Sequence, residues 1–187
     1  MCNAVTSDDS YRIVLDWAVL NRTVRVIPQR RWMPYDGGRR GLMDLKIADV
    51  VPPLFSILSE GTLGVRLTEA ASAVDDTLRD GSWAPLAGRP SIKLRLSLHD
   101  YKPIEKQIQL RDRASSQPIT LAKLLTLVAN CLLCYIQDIK SNPALGNDCP
   151  DWAFRSWLGE ISPASLFVVG VVGVSGGSLT PILEVRN

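Results

Sequence analysis

The sequence predicts an α+β fold: an antiparallel sheet built from hairpins, with a long amphipathic helix at about 120–140 packed on one face. Three observations predict it. Apolar residues alternate along 91–111, they follow a helical spacing along 120–140, and a valine-rich run in 165–186 is broken by a glycine turn. The chain has 187 residues, of which 46% are hydrophobic and 21% charged, and this composition suits a single globular domain spanning 1–187.

The C-terminal hairpin is predicted from the apolar run Leu166–Val174. This run is about half the ~20 residues that a membrane-spanning helix needs, and its valines favour a strand. Ser175–Ser178 reads Ser-Gly-Gly-Ser, a tight-turn sequence, and Leu179–Val185 returns as a second strand. We therefore expect a central strand buried on both faces of a sheet in a water-soluble protein, with no membrane partner.

A second hairpin is predicted in the middle of the chain. Its first strand alternates strictly, with Ile92, Leu94, Leu96 and Leu98 facing the core and Lys93, Arg95, Ser97 and His99 facing water. The second strand, Ile104–Leu110, returns with Ile108 and Leu110 directed inward. We expect the outer face of this hairpin to be basic, polar and solvated.

The long helix has the clearest helical pattern in the chain. Thr120 is its predicted N-cap, and the apolar stripe comprises Leu121, Leu125, Val128, Leu132, Tyr135 and Ile139. Three shorter helices are also expected: one that Pro53 opens and that runs to Leu58, one over Glu69–Arg79 capped by Thr68, and one over Asp151–Leu158.

The N-terminal part of the chain is predicted to hold a third hairpin, near 11–28, followed by a loop at 29–46. Arginines and aromatic residues crowd this loop: Arg30, Arg31, Trp32, Tyr35, Arg39 and Arg40. Together with the arginines from residue 22 onward, they suit single-stranded nucleic acid, because arginine neutralises phosphates and aromatic rings stack on bases. The same residue types are enriched at protein interfaces. The favoured interpretation of the segment itself is a solvated loop whose arginines pair with acidic residues.

Residues that could carry chemistry are few. Cys131 and Cys134 form a Cys-x-x-Cys pattern beyond the middle of a helix, where no helix N-terminus lowers a thiol pKa, and two thiols make only half of a structural zinc site. We therefore interpret both as buried or half-buried structural residues. His99 is the only histidine, and no phosphate-binding loop is found. We therefore expect no catalytic residue, no metal site, no cofactor and no enzymatic activity.

The N-terminal residues lack the basic and apolar regions of a signal peptide. This predicts a cytoplasmic or otherwise intracellular protein with reduced cysteines. The net charge of +2 is too small to indicate a nucleic-acid or acidic-membrane partner by itself.

The C-terminal part of the chain resembles a group of uncharacterised proteins from mushroom-forming fungi. The similarity is carried by Pro118–Leu121, the tryptophan segment Trp152–Trp157, Gly159–Ile161, the glycine-valine run Val169–Ser178 and Pro181–Leu183. It covers about the last third to two-fifths of the chain and implies a fungal source and an intracellular setting, but no activity.

These observations predict a non-enzymatic structural or interaction protein that self-assembles into a homo-oligomer or a larger assembly. The alternative is a nucleic-acid-binding protein that uses the 22–40 segment. A small-ligand binder or enzyme with a pocket between helix and sheet comes third.

Overall fold

The computed structural model describes residues 25–27, 29, 51–72, 76–98, 101–141, 154 and 161–186. In chain order its elements are β1 (Arg25–Val26), β2 (Leu54–Phe55), β3 (Val65–Arg66), α1 (Leu67–Ala70), β4 (Ser91–Leu96), β5 (Ile104–Gln109), α2 (Leu121–Ser141), a 3-10 turn (Pro163–Ser165), β6 (Leu166–Ser175) and β7 (Ser178–Val185). Together they form the predicted α+β fold, an open seven-stranded sheet with one long helix.

The β6–β7 hairpin is the centre of the sheet. Its two strands pair antiparallel around the turn at 176–177, and β6 is buried along most of its length, as the sequence predicts. The short strands β2 and β3 both pair with β6 on its other side. On the far side of β7, β1 and β4 pair with opposite ends of the strand, and β5 pairs with β4.

The sheet is mixed, whereas the sequence predicted an antiparallel one. Lys93 pairs with Ser178 and Leu94 pairs with Leu179 in parallel, and all other strand pairs are antiparallel. The two hairpins are each antiparallel because their turns are short, but the connection that includes α2 lets them join in parallel.

The helix α2 covers one face of the sheet, as predicted. Its N-terminus is capped by Thr120, whose side-chain oxygen accepts the backbone N–H of Lys123 at 3.2 Å. All six residues of the predicted apolar stripe are buried. By length and composition Leu121–Ile139 could cross a membrane, with a mean hydropathy of 1.4, but half of it is buried within the protein and the core helix of a globular protein meets the same criterion.

The two faces of the sheet differ in composition. The face under α2 carries the main core, which includes Leu94 of β4, Val168 of β6 and Leu183 of β7. The opposite face carries a small apolar cluster around Val169 and Ile182, flanked by polar and charged side chains. These polar and charged side chains include Arg95 of β4 and Ser178 of β7, both of which are buried.

Two of the predicted short helices are not formed. Leu54 and Phe55 are in a strand, because their backbone groups pair with β6. The helix over Glu69–Arg79 is replaced by the single turn of α1 and by a bridge between Leu58 and Leu78.

Backbone hydrogen bonds explain the second of these differences. The N–H of Arg79 donates to the carbonyl of Ile57 at 2.9 Å, and that of Ser59 donates to the carbonyl of Thr77 at 2.8 Å. Tertiary pairing thus takes the groups that a helix would have used, and it overrides local propensity.

Several predicted features lie outside the described residues. These are the strand over 11–19, the loop at 30–46, His99 and most of the segment Asp151–Leu158. Within that last segment Phe154 is described: it is buried, it has no helical conformation, and its N–H donates to the hydroxyl of Tyr101 at 2.9 Å.

Candidate interaction edge

The strand β5 forms one edge of the sheet that the described strands make. Among the described strands it pairs with β4 alone, over six residue pairs from Ser91 with Gln109 to Leu96 with Ile104. An edge strand presents a row of backbone donors and acceptors to which a further strand can bond. This row makes β5 the candidate interaction site of the molecule.

The backbone groups that face outward can be assigned from one hydrogen bond. Leu110 donates its N–H to the carbonyl of Pro90 at 2.9 Å, across the β4 side of the ladder. Alternate residues of an antiparallel strand bond to the same neighbour. Glu105, Gln107 and Gln109 therefore direct their N–H and C=O groups away from β4.

The outward row continues one residue beyond β5. Arg111 forms an isolated bridge with Pro118. The hydrogen bonds of this bridge are made by its neighbours: the N–H of Asp112 donates to the carbonyl of Gln117, and the carbonyl of Leu110 accepts from the N–H of Ile119. The backbone groups of Arg111 itself therefore point away from this partner, on the same side as those of Gln109. The edge offers four residues with outward backbone groups.

The side chains along this edge are polar on one face and apolar on the other. Glu105, Gln107 and Gln109 are exposed on the face opposite α2, whereas Ile108 is buried under the helix and Ile104 is half-buried. The sequence correctly predicted that Ile108 points inward. It offered no signal that this strand, and not another, is at the edge.

A charged cluster ties β5 to the centre of the sheet. The guanidinium of Arg95 lies 2.5 Å from a carboxylate oxygen of Glu105 and donates to the hydroxyl of Ser178 at 2.9 Å. Lys93 lies 3.4 Å from the other carboxylate oxygen of Glu105. The cluster therefore spans β5, β4 and β7.

Arg95 corrects a sequence prediction. Its place in the alternating pattern indicated a solvated side chain, but only 7% of its surface is exposed. Burial is possible because the charge is paired with Glu105 and hydrogen-bonded to Ser178. The register that places Arg95 opposite Glu105 is the signal that could have found this pair.

The hydrogen bond from Arg95 holds the pKa of Glu105 below its ordinary value, and the charge of Lys93 acts in the same direction. Glu105 is therefore ionised at neutral pH, although much of its side chain remains accessible to solvent. A strand that pairs at this edge is therefore destabilised if it places a second negative charge opposite Glu105.

A second charged cluster is found at the far end of the sheet. Glu184 is buried and forms a two-pronged pair with the guanidinium of Arg186, both distances being 2.8 Å. Arg186 also lies over the ring of Phe167, 4.3 Å from its centroid, and Arg66 lies 5.4 Å from the same centroid. These contacts join β3, β6 and β7 and satisfy one another, so we assign them a structural role.

The two helical cysteines differ in environment. Cys131 is half-buried, and burial raises the pKa of its thiol, whereas Cys134 is exposed. The sequence interpretation of both as buried or half-buried structural residues is thus correct for Cys131 alone. Among the described residues there is no group of three or more metal-ligating side chains.

The six residues that the sequence singled out for binding (Arg30, Arg31, Trp32, Tyr35, Arg39 and Arg40) all lie outside the described residues. Their role in binding a partner or nucleic acid remains a prediction. Among the described residues Trp83 is the one large hydrophobic side chain that is exposed, at 54%.

The chain was compared with protein-family models, with curated proteins and with solved structures, and none of them matches it. The similarity of its C-terminal part to fungal proteins also remains a prediction. The geometry of the described residues is therefore what supports a function.

Proposed function

We propose that the protein is a non-enzymatic structural or interaction protein that self-associates through the edge strand β5. One observation carries the proposal: β5 is six residues long, and its outward backbone groups have no partner among the described strands. Pairing with a second copy would satisfy these groups and extend the sheet.

The length and order of β5 support this proposal. The opposite edge of the sheet consists of β2 and β3, which have two residues each. A ladder of that length provides few hydrogen bonds. The strand β5, in contrast, is fixed in an extended conformation by six residue pairs with β4 and by the Arg95–Glu105 ion pair. A rigid strand loses little conformational freedom when it pairs, which favours association.

Nucleic-acid binding through the 22–40 segment and ligand binding or catalysis remain the second and third predictions from the sequence. No contact of the described residues favours either over self-association. The expected intracellular location is likewise a prediction, and it is consistent with an exposed free thiol at Cys134.

Multi-angle light scattering over a concentration series tests the proposal. We expect the wild-type protein to be larger than a monomer. Gln107→Pro should shift it toward the monomer, because proline removes the outward N–H and leaves the bonds to β4 in place.

The matched control is Gln107→Ala, which removes the same side chain and keeps the N–H. Gln107→Ala should remain associated, and circular dichroism should show both variants folded. A wild-type protein that is monomeric throughout the concentration range contradicts the proposal, as does a Gln107→Pro variant that associates as strongly as Gln107→Ala.

A further inference from the structure

We propose that two copies pair their β5 strands antiparallel about a two-fold axis at Ile108, which places Glu105 of each copy opposite Arg111 of the other. This inference rests on the proposed self-association and specifies its geometry. The occupant of the edge is a second copy of this chain, and the product is a closed dimer with one continuous sheet.

Charge selects among the possible registers. Paired residues of an antiparallel ladder share a face, so the two-fold axis must pass through a residue of β5. An axis at Glu105 opposes two glutamates, and an axis at Lys106 opposes two lysines, both of which are destabilising. An axis at Ile104 places Glu105 opposite Pro103, and an axis at Gln107 or at Gln109 opposes no like charges. Only an axis at Ile108 brings Glu105 and Arg111 together, and it does so twice.

Hydrogen bonding favours the same register. With the axis at Ile108, the four residues with outward backbone groups all find partners: Glu105 with Arg111, and Gln107 with Gln109, each pair occurring twice. An axis at Gln107 uses only three such pairs, because Arg111 would face Pro103, which has no N–H. An axis at Gln109 also uses only three, because Glu105 would face Arg113, which lies in the turn beyond the bridge at Arg111. The Ile108 register therefore forms the longer ladder.

The side chains of the ion pair are free to form it. Glu105 and Arg111 are both exposed and lie on the same face of the strand. Arg111 donates to the carbonyl of Ser116 at 3.1 Å, and a guanidinium has five N–H donors, so it can bind a carboxylate as well. Glu105 keeps its contacts with Arg95 and Lys93 and still has room for a third donor.

The α2 face of the ladder is also compatible. Ile108 of one copy meets Ile108 of the other, and the aliphatic part of Lys106 lies opposite Leu110. No like charges meet on this face. Each copy contributes the same strand, so the contact is symmetric and uses the β5 edge of both copies. No β5 edge is left for a third copy, and the contact therefore yields a dimer and not a filament.

Cysteine cross-linking tests the register. Gln107→Cys and Gln109→Cys are made separately, and each protein is oxidised alone and after mixing and exchange of subunits. Paired residues of a ladder lie about 5.5 Å apart at Cα, within the range of a disulfide. We expect a covalent dimer from the mixture, with residue 107 joined to residue 109, and none between the introduced cysteines of either protein alone.

The outcomes separate the register from the proposed function. The wild-type protein is oxidised in parallel and shows which disulfides its native cysteines form. Peptide mass spectrometry then identifies the two residues joined by each bond. If Gln107→Cys alone cross-links at residue 107, or Gln109→Cys alone at residue 109, the axis lies elsewhere while self-association stands. If light scattering finds only monomers, the proposed function fails and the register fails with it.

A charge reversal provides an independent readout. Arg111→Glu would place two glutamates opposite each other and should raise the dimer dissociation constant about tenfold or more. Arg113→Glu makes the same change of net charge two residues further on, outside the ladder, and should leave the constant within about twofold. Equal effects of the two substitutions would overturn the assignment of Arg111 to the interface.

Discussion

Replacement of Gly170 by alanine should destabilise the protein strongly. A Cβ atom at this position would lie 2.3 Å from the carbonyl oxygen of Leu54 and 3.0 Å from the Cα of Phe55. Both atoms belong to the backbone of β2, which cannot rotate away as a side chain can. The strand would have to move by about 1 Å, and overpacking of this kind costs about 3 kcal/mol, at the upper end of its usual range.

The expected change can be measured by thermal unfolding. For a chain of this length a loss of 1 kcal/mol lowers Tm by about 2–4 °C, so Gly170→Ala should lower it by about 6–12 °C. Gly88→Ala is the matched control, because a Cβ there meets nothing within 4 Å. It should change the free energy of unfolding by no more than about 0.5 kcal/mol.

The result that would refute this reasoning is a Gly170→Ala protein whose Tm lies within about 2 °C of the wild-type value. That result would mean that β2 does not approach β6 as closely as described. An equal loss in both variants would mean that the effect of alanine is unrelated to the contact with β2.

Three further predictions concern single residues. Thr120→Ala should cost about 1 kcal/mol in denaturant unfolding, because it removes the N-cap of α2; an unchanged midpoint would contradict the cap. The pKa of Glu105 in the folded protein lies below its ordinary value of 4.5, so the ion pair with Arg95 stabilises the fold above that pH and stops doing so as the pH falls through the lowered pKa. In Arg95→Met this part of the acid dependence of Tm should be absent, and identical profiles would exclude the pair as its source. In brief alkylation followed by peptide mass spectrometry, Cys134 should react before Cys131, which is half-buried and has a raised pKa; the reverse order would contradict the assigned exposures.

The sequence predicted best those elements whose burial follows a regular period. Leu94 and Leu96 alternate with polar residues, and they are buried in a strand as expected. The apolar stripe that begins at Leu121 has helical spacing, and it packs on the sheet as expected. The valine-rich run from Leu166 is a strand buried on both faces. In each case the apolar residues lie on the side of the element that is buried, and their spacing along the sequence shows both the type of element and its buried side.

The short elements were predicted less well, because their conformation depends on partners far along the chain. Leu54 and Phe55 are in a strand only because β6 offers its edge. The segment after Thr68 is not a long helix, because residues 57–59 take its backbone groups. Nothing in the local sequence of either segment specifies these partners.

The candidate site was almost entirely a product of tertiary structure. The sequence directed attention to Arg30 and Arg31, which lie outside the described residues, and to a solvated Arg95, which is buried. It contained the alternation of β5 but not the position of that strand at the edge of the sheet.

The sequence alone therefore determined which of the long segments are strands and which is a helix, and it determined where their apolar side chains are buried, because the spacing of apolar residues reflects the side of an element that leaves water. The tertiary structure decided the order of the described strands, the parallel join of β4 to β7 and the position of β5 at the edge of these strands. It also decided that Arg95 is buried beside Glu105. These features depend on which backbone groups and charges meet across the sheet, and residues distant in sequence meet only after the chain has folded.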